Sequence, residues 1–201
     1  MAINTLYLDT GVLKSAGKVY NNQTPKNIRL EKFFQPSVFS MLQKKLHNEI
    51  YKLKFHPYKY KYSTAKSKEI DSFLNGRYFF LLAEKIIGIK NYKTKYEIRK
   101  FENGDYTLLH DAEKEKSGVD FIIDFSKTSK TFGGHAVYLT ESEELLHLSP
   151  FPNSVSFVER KQGLMKYTKY FTHQNTFPIV QVVGSIYKKD VHSINLPKLN
   201  K

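Results

Sequence analysis

His110, Asp111 and His173 are the residues whose types and order could do redox chemistry. The stretch Phe101-Glu-Asn-Gly-Asp-Tyr-Thr-Leu-Leu-His110-Asp111-Ala112 places a turn at Asn103-Gly104, then a short strand, then a histidine beside a carboxylate. His173 follows about sixty residues on, with only short strands between. Histidine and carboxylate, then strands, then histidine is the order in which a jelly-roll barrel builds a mononuclear iron site from two strands. Other titratable residues read as structural. His135 and His147 fall outside that order, and Glu141, Glu143 and Glu144 suit a solvated turn. Asp105 suits a brace for the turn at Gly104. Asp124, inside an apolar strand, is expected to face outward, since a buried carboxylate needs a partner.

Positioning such a site requires strands, and the pattern supplies them from residue 93 onward. Lys95–Phe101, Asp105–Leu109, Gly118–Phe125, His135–Leu139, Leu145–Ser149, Ser154–Glu159, Lys166–Tyr170 and Ile179–Tyr187 are short, apolar-rich and evenly spaced. That argues for a sandwich or jelly roll. Upstream, residues 1–24 read as an irregular or strand-like lead-in, and Ile28–Phe34 as a short strand. Pro36 opens a helix expected over about 36–52, with Phe39, Leu42, Leu46 and Ile50 near helical spacing. Phe55–Ser63 alternates Tyr and Lys around Pro57 and reads as extended chain or an edge strand. A helical segment spans 67–88, broken at Asn75-Gly76. The expected fold is α+β: a double-stranded β-helix (jelly-roll) core with N-terminal helices packed on one sheet. One domain is expected over 1–201, with a helical layer at about 28–92, the core at about 93–188 and a loose tail at 189–201.

Composition narrows the classes. The 201 residues include 15 Phe and 14 Tyr but no Cys, so disulfides, thiolate metal sites and cysteine nucleophiles are excluded. No apolar run approaches the ~18 residues of a membrane helix, and the N-terminus lacks a signal-peptide pattern. The expectation is a cytoplasmic protein with no membrane partner. The formal net charge is +13. An acidic partner such as RNA is one reading; scattered surface lysines are the other. Only four residues are Arg: Arg29, Arg77, Arg99 and Arg160. Bidentate base or phosphate reading leans on Arg, which favours the surface reading. The best candidate patch is Lys52, Lys54, Lys59, Lys61, Lys66 and Lys68 with Tyr51, Tyr58, Tyr60 and Tyr62 between them. Oligomeric state is not legible.

From Leu30 to Tyr187 the chain resembles the 2-oxoglutarate and Fe(II)-dependent dioxygenases of the prolyl-4-hydroxylase-like branch. The resemblance is carried by Leu30-Glu-Lys-Phe-Phe34 before its helix, by Gly104-Asp105 before the His110 strand, and by Phe121-Ile-Ile-Asp-Phe125. Phe132-Gly-Gly134 and Pro150-Phe-Pro-Asn153 before Ser154–Val158 complete it. The resemblance implies Fe(II) and 2-oxoglutarate as cofactors and a protein or peptide substrate hydroxylated on a prolyl or similar residue. The family holds iron with His-x-Asp plus a distal His, because residues i and i+2 of a strand share a face. His110 matches the first ligand and His173 the distal one. Ala112 falls on the carboxylate position, which leaves Asp111, or Glu113 from a loop, to supply the oxygen ligand. The basic residue that binds the far carboxylate of 2-oxoglutarate has no counterpart in Phe177–Tyr187; Gln181 and Ser185 offer neutral bonds, Tyr106 a phenol, and Lys188 lies just beyond.

Two readings follow. One is an active hydroxylase with iron on His110, His173 and Asp111 or Glu113. The other is a non-catalytic jelly-roll binding module, with a protein or nucleic-acid partner, that has lost iron and 2-oxoglutarate.

Overall fold

The computed structural model describes residues 3–90, 92–109 and 117–188. The lead-in is helical, not strand-like. A 3-10 turn, Thr5–Leu8, precedes helix α1, Thr10–Asn21. The Asp9 carboxylate caps α1 by accepting from the Gly11 and Val12 N–H groups at 2.7 and 2.9 Å. Leu13, Gly17 and Tyr20 form its buried stripe. Strand β1 (Asn27–Glu31) leads to α2 (Pro36–His47), which has Pro in its first turn and ends at His47, short of residue 52. The hairpin β2 (Lys52–His56) and β3 (Tyr60–Ala65) follows. Then come α3 (Lys68–Leu74), α4 (Arg77–Leu82) and a π turn over Ala83–Ile87, so the break at Asn75-Gly76 falls where the sequence placed it.

The remaining strands match the periodicity closely. They are β4 (Tyr92–Phe101), β5 (Tyr106–Thr107), β6 (Gly118–Asp124), β7 (Ala136–Leu139), β8 (Glu144–Leu148), β9 (Ser154–Arg160), β10 (Met165–Thr168) and β11 (Ile179–Lys188). Among the described residues, all strand pairs are antiparallel and follow the order β1-β9-β6-β11-β4-β3-β5-β10-β7-β8, with β2 on β3. Gly104, at φ +89°, turns the chain between β4 and β5 with the backbone its sequence pattern predicts. The sheet curls so that its β9-β6-β11-β4 half faces its β5-β10-β7 half: Tyr138 on β7 and Lys166 on β10 both reach Asp120 on β6.

Alternation divides each strand of the larger half between two environments. One face of β6, β9 and β11 carries Phe121, Ile123, Val155, Phe157, Val180 and Val182 against the helices. Aromatic rings knit this layer, with Phe33–Phe34 centroids 4.8 Å apart and Phe79–Phe121 5.2 Å apart, both edge-on. Each buried Phe contributes roughly 1.5–3 kcal/mol. Asn153 pins the helical layer to the sheet: it accepts from the Phe34 N–H at 2.8 Å and donates to the Phe34 carbonyl at 3.0 Å. The other face, inside the curl, is polar. Among the described residues no helix is long and apolar enough to cross a membrane.

Candidate functional site

The inward face of β6 carries Asp120, Ile122 and Asp124. Asp124 is 2% exposed, so it faces in, not out as its sequence context suggested. The partners it needs come from next door. Gln181 Nε2 donates at 2.7 Å, and the Ser126 and Phe151 N–H groups donate at 2.8 and 3.2 Å. Burial lifts the Asp124 carboxyl above its ordinary range against the pull of those donors.

Asp120 is 1% exposed and more heavily held. Arg160 Nη1 approaches Oδ1 at 2.8 Å, Ser185 Oγ donates to the same oxygen at 2.6 Å, and Lys166 Nζ reaches Oδ2 at 2.7 Å. Arg160 also donates to Ser185 Oγ at 3.1 Å and lies over the Tyr187 ring at 5.2 Å. Burial pushes the Asp120 carboxyl up, but Lys166, Arg160 and the Ser185 bond outweigh it, and the group sits below the usual carboxylate range. Register explains the meeting. Ser185 pairs with Asp120 across β11–β6, and Gln181 with Asp124. Arg160 ends β9 opposite Gly118, one step diagonally from Asp120.

A cavity of about 280 Å³ opens beside this network, walled by Tyr60, Tyr62, Arg99, Tyr138, Lys166 and Thr168. A second cluster closes its β3–β4 side. Glu97 pairs with Lys54 and with Arg99 Nη2 at 3.0 Å, and accepts from Tyr62 Oη at 2.9 Å. Arg99 lies 4.6 Å from the Tyr62 ring centroid. Burial raises the Glu97 carboxyl, yet Lys54, Arg99 and Tyr62 draw it down to about 2.

A family model described as "Oxoglutarate and iron-dependent oxygenase degradation C-term" matches residues 54–193. The chain belongs to this family. A mouse (Mus musculus) relative, Prolyl 3-hydroxylase OGFOD1, is 30% identical over 83 residues, which make up 39% of this chain and 15% of that protein. The chain therefore matches only a small share of the relative's length. Among solved structures, a Pseudomonas putida prolyl-4-hydroxylase superposes with TM-score 0.64 at 8% identity, covering 88% of this chain and 99% of the other. A Burkholderia pseudomallei oxidoreductase of the 2OG-Fe(II) oxygenase family gives 0.66 at 10%, covering 88% and 91%. A Trichoplax adhaerens prolyl hydroxylase, solved with a hypoxia inducible factor peptide, gives 0.65 at 8%, covering 92% of each chain. These similarities establish the fold. The chain is thus a member of an oxoglutarate and iron-dependent oxygenase family, with an α+β jelly-roll architecture.

Only some of the expected site residues fall among the described ones. His110 and Asp111, with Ala112 and Glu113, lie outside the described residues. His173 is exposed in the turn after β10. Thr168 pairs with Thr107, and the Phe171 N–H donates to the Asp105 carbonyl at 2.9 Å. Tyr106 pairs with Lys61 and turns outward, its hydroxyl 3.2 Å from the Pro57 carbonyl; its neighbour Thr107 points in. Of the expected cofactor-binding residues, the structure brings Gln181 and Ser185 inside, where both are engaged by carboxylates. His147 is exposed and bonded to Glu144 at 2.6 Å, a surface pair. Asp105 braces its turn, accepting from the Glu102 N–H at 2.9 Å.

Among the described residues no three His, Cys, Asp or Glu side chains group as metal ligands. The buried Asp120 carboxylate is held by two cations, Arg160 and Lys166. Sequence reasoning missed Arg160, Lys166 and Asp120. The available signals were an Arg closing an apolar strand in a Lys-dominated chain, and two Asp at i and i+4 of another.

Proposed function

We propose that this chain is a recognition barrel of its family, working in the cytoplasm on a protein or peptide partner and performing no iron chemistry of its own. The observation that carries this reading is the Asp120–Arg160–Lys166–Ser185 network. It places a neutralised carboxylate and two cations beside the interior cavity, a charge balance that favours recognition of a partner over binding of a cationic metal. The family description, a C-terminal part of an oxygenase, supports a barrel that accompanies catalysis.

A second reading is favoured by the family itself and by the peptide complex of the Trichoplax neighbour. It is a hydroxylase using Fe(II) and 2-oxoglutarate on a peptidyl residue, with His110, Asp111 and His173 converging. Anaerobic titration of the metal-free protein with Fe(II) and 2-oxoglutarate, followed by calorimetry and the visible charge-transfer band, separates the two. The recognition reading expects no saturable heat and no band. Saturable binding of both restores the hydroxylase.

A further inference from the structure

The hairpin β2–β3 leaves an open sheet edge. Strand β2 pairs with β3 on one side and, among the described residues, with nothing on the other. Every second N–H and C=O along that edge therefore faces outward. Its side chains alternate. Leu53 and Phe55 are 64% and 59% exposed on the outer face, while Lys52, Lys54 and His56 share the inner face with Tyr60 and Tyr62. Ile50 and Tyr58 extend the apolar surface at either end, 88% and 82% exposed. Residues 50–66 contain five lysines and no acid. Lys54 and Lys61 are paired with Glu97 and Asp105; Lys52, Lys59 and Lys66 are exposed and have no ion pair among the described residues.

We propose that β2 is a docking edge for an extended acidic segment of a partner protein, which adds to the sheet as an antiparallel or parallel strand with acidic and apolar residues alternating. Lysine on an edge strand ordinarily keeps identical chains apart, because self-pairing sets Lys against Lys. The same lysines admit a strand of opposite charge. Main-chain bonds would supply affinity, and the alternation would supply register. Three unpaired lysines without arginine are a sparse footprint for a nucleic-acid backbone, whereas exposed Leu53 and Phe55 suit apolar side chains on a neighbouring strand. A groove of about 760 Å³ runs along the hairpin base, with Ile50, Lys52 and Lys66 on one wall and Asp71 and the Lys54-paired Glu97 on the other, so the acidic segment is expected to lie along the lysine side and the outer face rather than deep in the groove.

The inference rests on the recognition reading, and its test is separate from the iron titration. The probe is a blocked nine-residue peptide alternating Glu and Val. Binding is read by calorimetry and by hydrogen exchange over residues 52–56. Saturable binding with slowed exchange there is expected, together with at least a tenfold loss in a Leu53→Glu/Phe55→Glu variant. Both side chains are exposed, so the variant should keep the wild-type melting temperature and iron-titration result. Equal binding of a Lys/Val peptide would overturn the proposal. So would undiminished binding by the variant, no protection over 52–56, self-association through this edge, or preferential salt-sensitive binding of single-stranded RNA.

Discussion

Asp120→Asn removes one charge from the barrel interior without changing its shape. Arg160, 3% exposed, then faces an amide instead of a carboxylate. Breaking a buried ion pair by neutralising one partner typically costs ~3–5 kcal/mol, because the surviving charge stays desolvated. Lys166, whose side chain is 22% exposed, loses less. For a domain of this size each kcal/mol moves the melting temperature by ~2–4 °C, so a drop of roughly 6–20 °C is expected. Urea unfolding at neutral pH should show a lower midpoint with unchanged slope. The pH dependence has a definite sign. The Asp120 carboxyl sits below its ordinary range, so its stabilisation is present above the unfolded-state value and lost as pH falls through the folded-state value. The gap between wild type and Asp120→Asn should therefore narrow in acid. A double replacement, Asp120→Leu with Arg160→Met, should recover much of the loss. A single-variant loss under ~1 kcal/mol, or a gap constant down to pH 2, would refute the view that this network consolidates the interior.

Two further perturbations test neighbouring features. Glu97→Gln unties Lys54, Arg99 and Tyr62 from one carboxylate held at about 2, so it should destabilise the protein above about pH 4.5, with the difference shrinking steadily as pH falls toward 2, read by melting across that range. It should also speed hydrogen exchange in β2. Gly133→Ala places a Cβ 1.8 Å from the Tyr170 carbonyl oxygen at a φ of +90°, which no side-chain shift relieves. A loss of at least ~2–3 kcal/mol is expected in urea unfolding; a near-neutral result would mean the turn before β7 relaxes freely.

The core strands were legible because each carries its own period and ends at a turn residue. Gly118–Asp124 and Ile179–Lys188 differ from expectation by a residue or so. The first 24 residues misled because the buried stripe of α1 is small and mixed (Leu13, Gly17 and Tyr20), while Asp9, which caps it, is an unremarkable acid without its neighbours' coordinates. The end of α2 depends on Tyr51 Oη bonding back to the Leu46 carbonyl at 3.0 Å, a contact that spacing does not encode. Asp124 was misplaced by a sound rule with a missing fact: its donors arrive from residues 126, 151 and 181. The interior network is non-local in the same way. Asp120 meets partners 40, 46 and 65 residues away.

The inner and outer faces of the hairpin are coupled by strand alternation. Lys54 turns inward to Glu97, which Arg99 and Tyr62 also hold, so β2 is tied to the barrel through its inner face. That leaves Leu53 and Phe55 facing out and the backbone edge fixed before any partner arrives. A preformed edge binds an incoming strand without ordering itself first, which is where flexible loops lose affinity. The interior charge thus falls into two separable clusters. Asp120, Arg160 and Lys166 form a paired charge cluster beside the interior cavity. Glu97, Arg99 and Lys54 hold rigid the strand that recognition would use. In this member of an oxygenase family, the interior Glu97 cluster braces the strand whose edge the proposed partner would meet.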